Sequence, residues 1–184
     1  MTESREDDRW DVVSRIVEVR SAWIAVIGER LRDATGHERE YWRVEKPDSV
    51  LVITLHRRRL ILPVRAYRPG VGRSTLDFAG GRLDPGGTPA AAAAAIVRRE
   101  FNLSAPDLFE SQDQLNDTGW DVDSSSSSQQ IYGVVVELNR EVMVPEAVIG
   151  GAYPATPTGG RDLMRDLVCV QCRAVLATWL ARQS

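Results

Sequence analysis
Long apolar runs are missing from this 184-residue chain, which excludes a helix long enough to span a bilayer. Cysteine is scarce. Cys169 and Cys172 are the only two, too few for a disulfide framework, so a cytoplasmic protein is the default expectation. Histidine is equally scarce, and His37 and His56 belong to no triad or metal-ligand pattern, so Ser-His-Asp catalysis has no foothold. An excess of basic charge is also absent. The formal net charge of -3 gives no support to nucleic-acid binding. The opening stretch Met1 to Asp8 is polar and acidic and does not read as a secretory leader. What is present is 43% hydrophobic residues over a length that suits one globular domain with a real core.

The apolar pattern places strands first. Trp10 to Val19 alternates, and Ala22 to Ile27 and Glu38 to Val44 read as two further strands with Gly36 in the turn. Val50 to Leu55 and Leu60 to Val64 form a hairpin around the basic turn His56 to Arg59. Thr88 is a helix cap with Pro89 at the first position, followed by six alanines of high helix propensity. Asn102 ends that helix, since asparagine tolerates the left-handed conformation. Ile131 to Leu138 reads as a buried strand. Arg140 to Pro157 reads as loop and short structure, with turn signals at Gly150-Gly151 and Gly159-Gly160. Asp162 to Arg182 reads as one closing helix. The run Ser124 to Ser128 has little apolar content and reads as a mobile loop or a serine-lined wall beside a ligand.

Cys169 and Cys172 fall at i, i+3 within the expected closing helix. A metal needs more ligands than this pair supplies, and a redox pair normally opens a helix, so two structural thiols are the favoured reading.

The segment Gly81-Arg82-Leu83-Asp84-Pro85-Gly86-Gly87-Thr88-Pro89, then Ala90 to Ala95, then Ile96-Val97-Arg98-Arg99-Glu100-Phe101-Asn102-Leu103 resembles the Nudix box, G-x5-E-x7-R-E-U-x-E-E-x-G-U with U a bulky aliphatic. Gly81, Val97, Glu100 and Leu103 fit. Gly87 stands at the first glutamate, Ala95 at the arginine, Ile96 at the next glutamate, Arg99 at the third and Asn102 at the last glycine. Glu100 alone survives of the box acids. Leu76 to Gly86 is similar to the family's approach to the box. Val64-Arg65-Ala66-Tyr67-Arg68-Pro69 resembles the V-R-Q-Y-R-P stretch of ADP-ribose and ADP-sugar pyrophosphatases, and Tyr41 to Val50 resembles their lead into the first core strand.

The resemblance implies an α/β (α+β) Nudix fold, a mixed β-sheet sandwiched between helices with an N-terminal antiparallel sheet. Residues 1–9 are then a flexible N-terminus, 10–48 an N-terminal β-region that joins a homodimer, and 49–184 the Nudix-like domain. The resemblance also implies hydrolysis of a nucleoside diphosphate linked to another group, with box glutamates holding Mg²⁺ or Mn²⁺ through oxygen. Here Ile96 removes a carboxylate and Arg99 adds a cation. Glu100 is the residual catalytic and metal-binding acid, with Asp77 a second metal candidate. The branch takes a further catalytic glutamate from a later loop. The corresponding stretch here has none, which leaves Asp121 or Asp123 as substitutes.

Trp42, Arg65, Tyr67, Arg68, Gly80, Gly81, Arg98 and Arg99 are the expected ligand contacts. Arginine matches phosphate bidentately, so Arg99 replaces the metal and binds phosphate, or else forms a surface pair with Glu100 or Asp84. The resulting expectation is a weak or inactive hydrolase that binds a small nucleotide-like or phosphorylated ligand, without nucleic acid or membrane partners. The alternatives are an active pyrophosphohydrolase rebuilt around Glu100 with Asp77, Asp84, Asp121 or Asp123, a dimeric scaffold, and different chemistry in the same cleft.

Overall fold
A computed structural model describes residues 9–105 and 107–183, so most of the expected N-terminal tail lies outside the described residues. Two compact units emerge. Of the described residues, one holds those up to Pro47 together with Asp121–Gln129, and the other holds those from Asp48 to Trp120 and from Gln130 onward.

In the first unit, β1 (Asp11–Arg20), β2 (Ala25–Arg32) and β3 (Glu38–Glu45) form an antiparallel sheet in that order. The second strand starts later than expected because Ser21 makes a turn: its Oγ accepts the Trp23 and Ile24 amides. That turn aligns Ala25 with Arg20 and Glu45 on either side. Gly28 is needed beneath Trp42, whose ring lies 3.0 Å from where a Cβ would stand.

Glu29 is covered on this sheet by arginines from both neighbouring strands. Arg15 reaches it at 2.9 Å and Arg43 at 3.1 Å. Desolvation opposes its charge, but the Arg15 and Arg43 hydrogen bonds outweigh it and hold the carboxyl below the usual glutamate range. Its folded pKa is therefore the lower one. The stabilisation is fully present above the ordinary glutamate pKa and is lost as pH falls through the depressed value. Glu29→Gln is expected to remove about 1–2 kcal/mol at neutral pH, discounted because both arginines are partly exposed. Urea unfolding at pH 7 and at a pH below the ordinary glutamate pKa checks this: the gap between wild type and variant should narrow at the lower pH.

The serine run is held in place on β3. The Val44 amide donates to the Ser126 carbonyl at 2.7 Å, and the Ser128 amide donates back to Val44 at 3.1 Å. Asp123 organises the turn by accepting from the Ser125 amide and from the Ser125 and Ser126 hydroxyls, Ser125 first, which hold its carboxyl at about 2.

The second unit is built on a mixed sheet. β4 (Ser49–His56) runs parallel to β11 (Gln130–Leu138) and antiparallel to β5 (Arg59–Pro63), which pairs antiparallel with β12 (Ile149–Pro154). β8 (Ala79–Arg82) continues on β4, and β9 (Phe109–Gln114) on β11. β6 (Ala66–Arg68) and β7 (Arg73–Thr75) form a separate ribbon, and β10 (Trp120–Asp121) is a two-residue strand. The alternation of β4 sorts the core. Val50 and Val52 pack with α1 (Pro89–Glu100), while Ile53 packs with α2 (Pro157–Asp166) and α3 (Val170–Ala181). The α1 signals act as read. Thr88 accepts the Ala91 amide at 3.2 Å, Pro89 opens the helix, and Asn102 sits left-handed at φ 52°.

Three expectations change in this unit. Part of the expected loop from Arg140 to Pro157 is the strand β12, because Gly150 lies against Pro63: an added Cβ would stand 2.4 Å from the Pro63 carbonyl oxygen. Gly159 and Gly160 make no turn. They lie in the first turn of α2, where a Cβ on Gly159 would stand 2.2 Å from the Pro154 oxygen, so close packing is what requires glycine. The closing helix is two helices. Leu167 leaves helical geometry at ψ 125° and is buried, and Arg173 Nη1 donates to the Met164 and Leu167 carbonyls at 2.8 and 2.9 Å. Helix-end carbonyls need such donors. Cys169 therefore caps the start of α3 instead of lying inside a helix.

Candidate functional site
A cleft of about 790 Å³ opens in the second unit, lined only by residues of that unit. Its floor is the start of β4 and the glycines of β8. Its walls are the β6–β7 ribbon, the end of α1, and the break between α2 and α3. A hollow of similar volume, about 810 Å³, lies around Asn102–Ala105, Asp107, Leu108 and Asn139–Met143, away from this chemistry.

Gly81 faces the α1 helix. A Cβ there would stand 3.0 Å from Ile96 Cγ1 and 3.6 Å from Arg99 Nη2. Backbone from β8 thus meets α1 where side chains would not fit. Arg99 Nη2 donates to the Gly80 carbonyl at 2.9 Å and to Glu100 Oε1 at 2.7 Å, and its Nε adds a bond to the same Oε1 at 3.0 Å. The surface pair considered for Arg99 and Glu100 is therefore formed, and it is formed at the cleft. Asp77 carries a second pair. Its Oδ2 accepts from Arg68 Nε at 2.9 Å and from the Thr75 hydroxyl at 2.7 Å, while its Oδ1 is buried without a partner among the described residues.

These residues do not fit a hard divalent cation. Such an ion takes several oxygen ligands. Ile96 is an apolar side chain at 3% exposure, Glu100 is engaged by a guanidinium, and Asp77 by another. The lining is cationic instead: Arg68, Arg73, Arg82 and Arg99 stand against Asp77 and Glu100. Arg73, Thr75 and Arg82 were not singled out from sequence. The β6–β7 ribbon that presents Arg73 is only three residues per strand, too short to register as an apolar pattern.

The other expected residues distribute as follows. Arg68, Asp77, Gly80, Gly81, Arg99 and Glu100 come together in the cleft. Arg65 and Tyr67 are exposed and not part of its lining. Arg98 donates to the Ala105 carbonyl at 2.8 Å and lies 5.4 Å over the Phe109 ring, because the helix turns it toward the loop after α1. Trp42, Asp121 and Asp123 belong to the first unit. Trp42 covers Gly28 and donates to Glu40 at 2.7 Å, Asp121 is exposed, and Asp123 is engaged by its own serine turn.

No family model matches the sequence, and no curated protein is similar to it in sequence. In three dimensions the chain has a Nudix-like fold, a mixed sheet with helices on both faces. It is similar to the crystal structure of an ADP compounds hydrolase, with a TM-score of 0.76 and 22% identity, covering 98% of this chain and 99% of that one. Among the described residues no helix is long and apolar enough to cross a membrane.

Proposed function
We propose that this Nudix-like protein binds a small nucleotide-like or phosphorylated ligand in the arginine-lined cleft and has little or no metal-dependent hydrolysis. The observation that carries this reading is the Arg99 guanidinium bonded to Glu100 and to the Gly80 carbonyl. It supports the reading because the resemblance calls for a metal-holding carboxylate at this position, and a guanidinium stands there instead. Among the described residues the bonds of Arg99 run through Nε and Nη2, which leaves Nη1 for a phosphate oxygen. Charge-assisted bonds of this kind contribute about 1.5–3 kcal/mol each. The similarity to an ADP compounds hydrolase suggests ADP-ribose and ADP-glucose as first ligands.

The test is thermal stabilisation in metal-free buffer, since a ligand selective for the folded state raises Tm. ADP-ribose or ADP-glucose is expected to stabilise wild type, and Arg99→Glu to weaken binding by roughly tenfold or more. Unchanged affinity in Arg99→Glu would reduce the arginine to a surface ion pair. No stabilisation by either compound would favour the scaffold reading.

A cytoplasmic homodimer is part of the same proposal. Two free thiols suit a reducing compartment. Exposed Val12, Ile16, Val19 and Trp23 leave β1 and the turn after it with apolar surface for a second copy.

A further inference from the structure
Cys169 and Cys172 face one another across the first turn of α3, and Asp77 lies beside them. A carboxylate oxygen of Asp77 and the two sulfurs all lie within 4.8 Å of one another. The two cysteines are not equivalent. Cys169 is the helix N-cap, half-buried on the cleft wall, whereas Cys172 is buried at 1% exposure against the α2–α3 core. We propose that this pair is a thiol–disulfide exchange site, with Cys169 the attacking sulfur, Cys172 the resolving sulfur and Asp77 the acceptor of the resolving proton.

The asymmetry matches the two steps. A thiolate is the nucleophile, and helix starts favour it. No ordinary side-chain hydrogen bond caps α3, but the Cys172 thiol, and then the amides of Cys172 and Gln171, pull the Cys169 thiol down against the opposing effects of burial and of the Asp77 carboxylate. The Cys172 thiol is pushed up by its bond to Cys169 and by burial, so it needs a base to ionise. Asp77 supplies one. Its Oδ2 is held by Arg68 and Thr75, which leaves the unpartnered Oδ1 for the thiol proton.

The co-reactant is a small-molecule disulfide. Cys169 thiolate attacks one of its sulfurs, the S–S bond breaks, and the first thiolate leaves, taking up from solvent the proton that Cys169 released on ionising. Cys172 then gives its proton to Asp77 and attacks the Cys169 sulfur. The mixed disulfide breaks and the second thiolate leaves, to be protonated from Asp77 through solvent. Two electrons pass from the cysteines to the small disulfide, giving one protein disulfide and two thiols.

A metal is the competing occupant of this cluster. The structure favours exchange because, among the described residues, only three ligand groups are gathered and one of them is already paired with the Arg68 cation, whereas a closed structural zinc site takes four ligands. The exchange needs neither a phosphate ligand nor a box metal, so its outcome is independent of the function proposed above.

The test treats the reduced full-length protein with oxidised glutathione and follows intact mass and alkylation. Wild type should end as an intramolecular disulfide without adduct. Cys172→Ser should trap one glutathione on Cys169, and Cys169→Ser should react at least about tenfold more slowly. Asp77→Asn should slow resolution of the mixed disulfide relative to its formation, so that the adduct builds up transiently. Equal trapping in the two cysteine variants would overturn the proposal. So would an adduct on wild type that never resolves, or protein purified with zinc that shields both thiols until chelated.

Discussion

Phe101→Ala is expected to destabilise the protein by about 3–5 kcal/mol, the range for losing a fully buried aromatic. Phe101 follows the last residue of α1 and is 0% exposed. It packs in the cluster that joins Val50 and Val52 of β4, Val134 and Val136 of β11, and Ile96 and Val97 of the helix. Its amide also closes the last turn by donating to the Val97 carbonyl at 3.1 Å. The alanine-rich helix has few large side chains with which to grip the sheet. Ala93, Ile96 and Val97 are its only buried residues, so the aromatic just past its end carries much of the attachment. Urea unfolding should show a lower midpoint with an unchanged slope. A loss below about 1 kcal/mol would mean that the site collapses around the gap or that α1 is held by something else.

The second large effect concerns the metal. In the Ile96→Glu, Arg99→Glu double variant, Mg²⁺ or Mn²⁺ is expected to raise Tm, while wild type should show no such rise. Position 96 is buried, so an unpaired glutamate there is strongly destabilising. A bound cation relieves that penalty, and saturating it a hundredfold above Kd adds about 2.7 kcal/mol. Metal-free ligand binding should fall in the same variant, because the Arg99 contact is gone. Arg99→Glu alone guards against a variant that fails to fold, since the Arg99 side chain is 60% exposed. It should lose metal-free binding without collapsing. A metal-dependent Tm rise of equal size in wild type would refute the argument that guanidinium and isoleucine close the box to cations.

Local chemistry made much of this fold legible. Thr88, Pro89 and Asn102 bracket α1, and the basic turn between β4 and β5 has Arg57 and Arg58 at positive φ, a geometry set by the tight hairpin. Tertiary contacts hid the rest. Nothing near Leu167 in sequence announces a break; it depends on Arg173 reaching back for two carbonyls. Reading one continuous helix there placed Cys169 and Cys172 in a helix interior and concealed their N-cap arrangement. The glycines at 150 and 159 resembled turns because close backbone approach leaves no separate sequence signal. For the cleft, Arg68, Gly80, Gly81, Arg99, Glu100 and Asp77 were reachable through the resemblance. Arg73 and the cysteines required the ribbon and the helix break in three dimensions.

The most direct test of the account is turnover of ADP-ribose and ADP-glucose by the wild-type protein with Mg²⁺ and Mn²⁺, beside Glu100→Gln. The account predicts no turnover that depends on Glu100, because that carboxylate is engaged by Arg99. Clear wild-type turnover abolished in Glu100→Gln would contradict it and show that the cleft assembles a working metal site from other carboxylates.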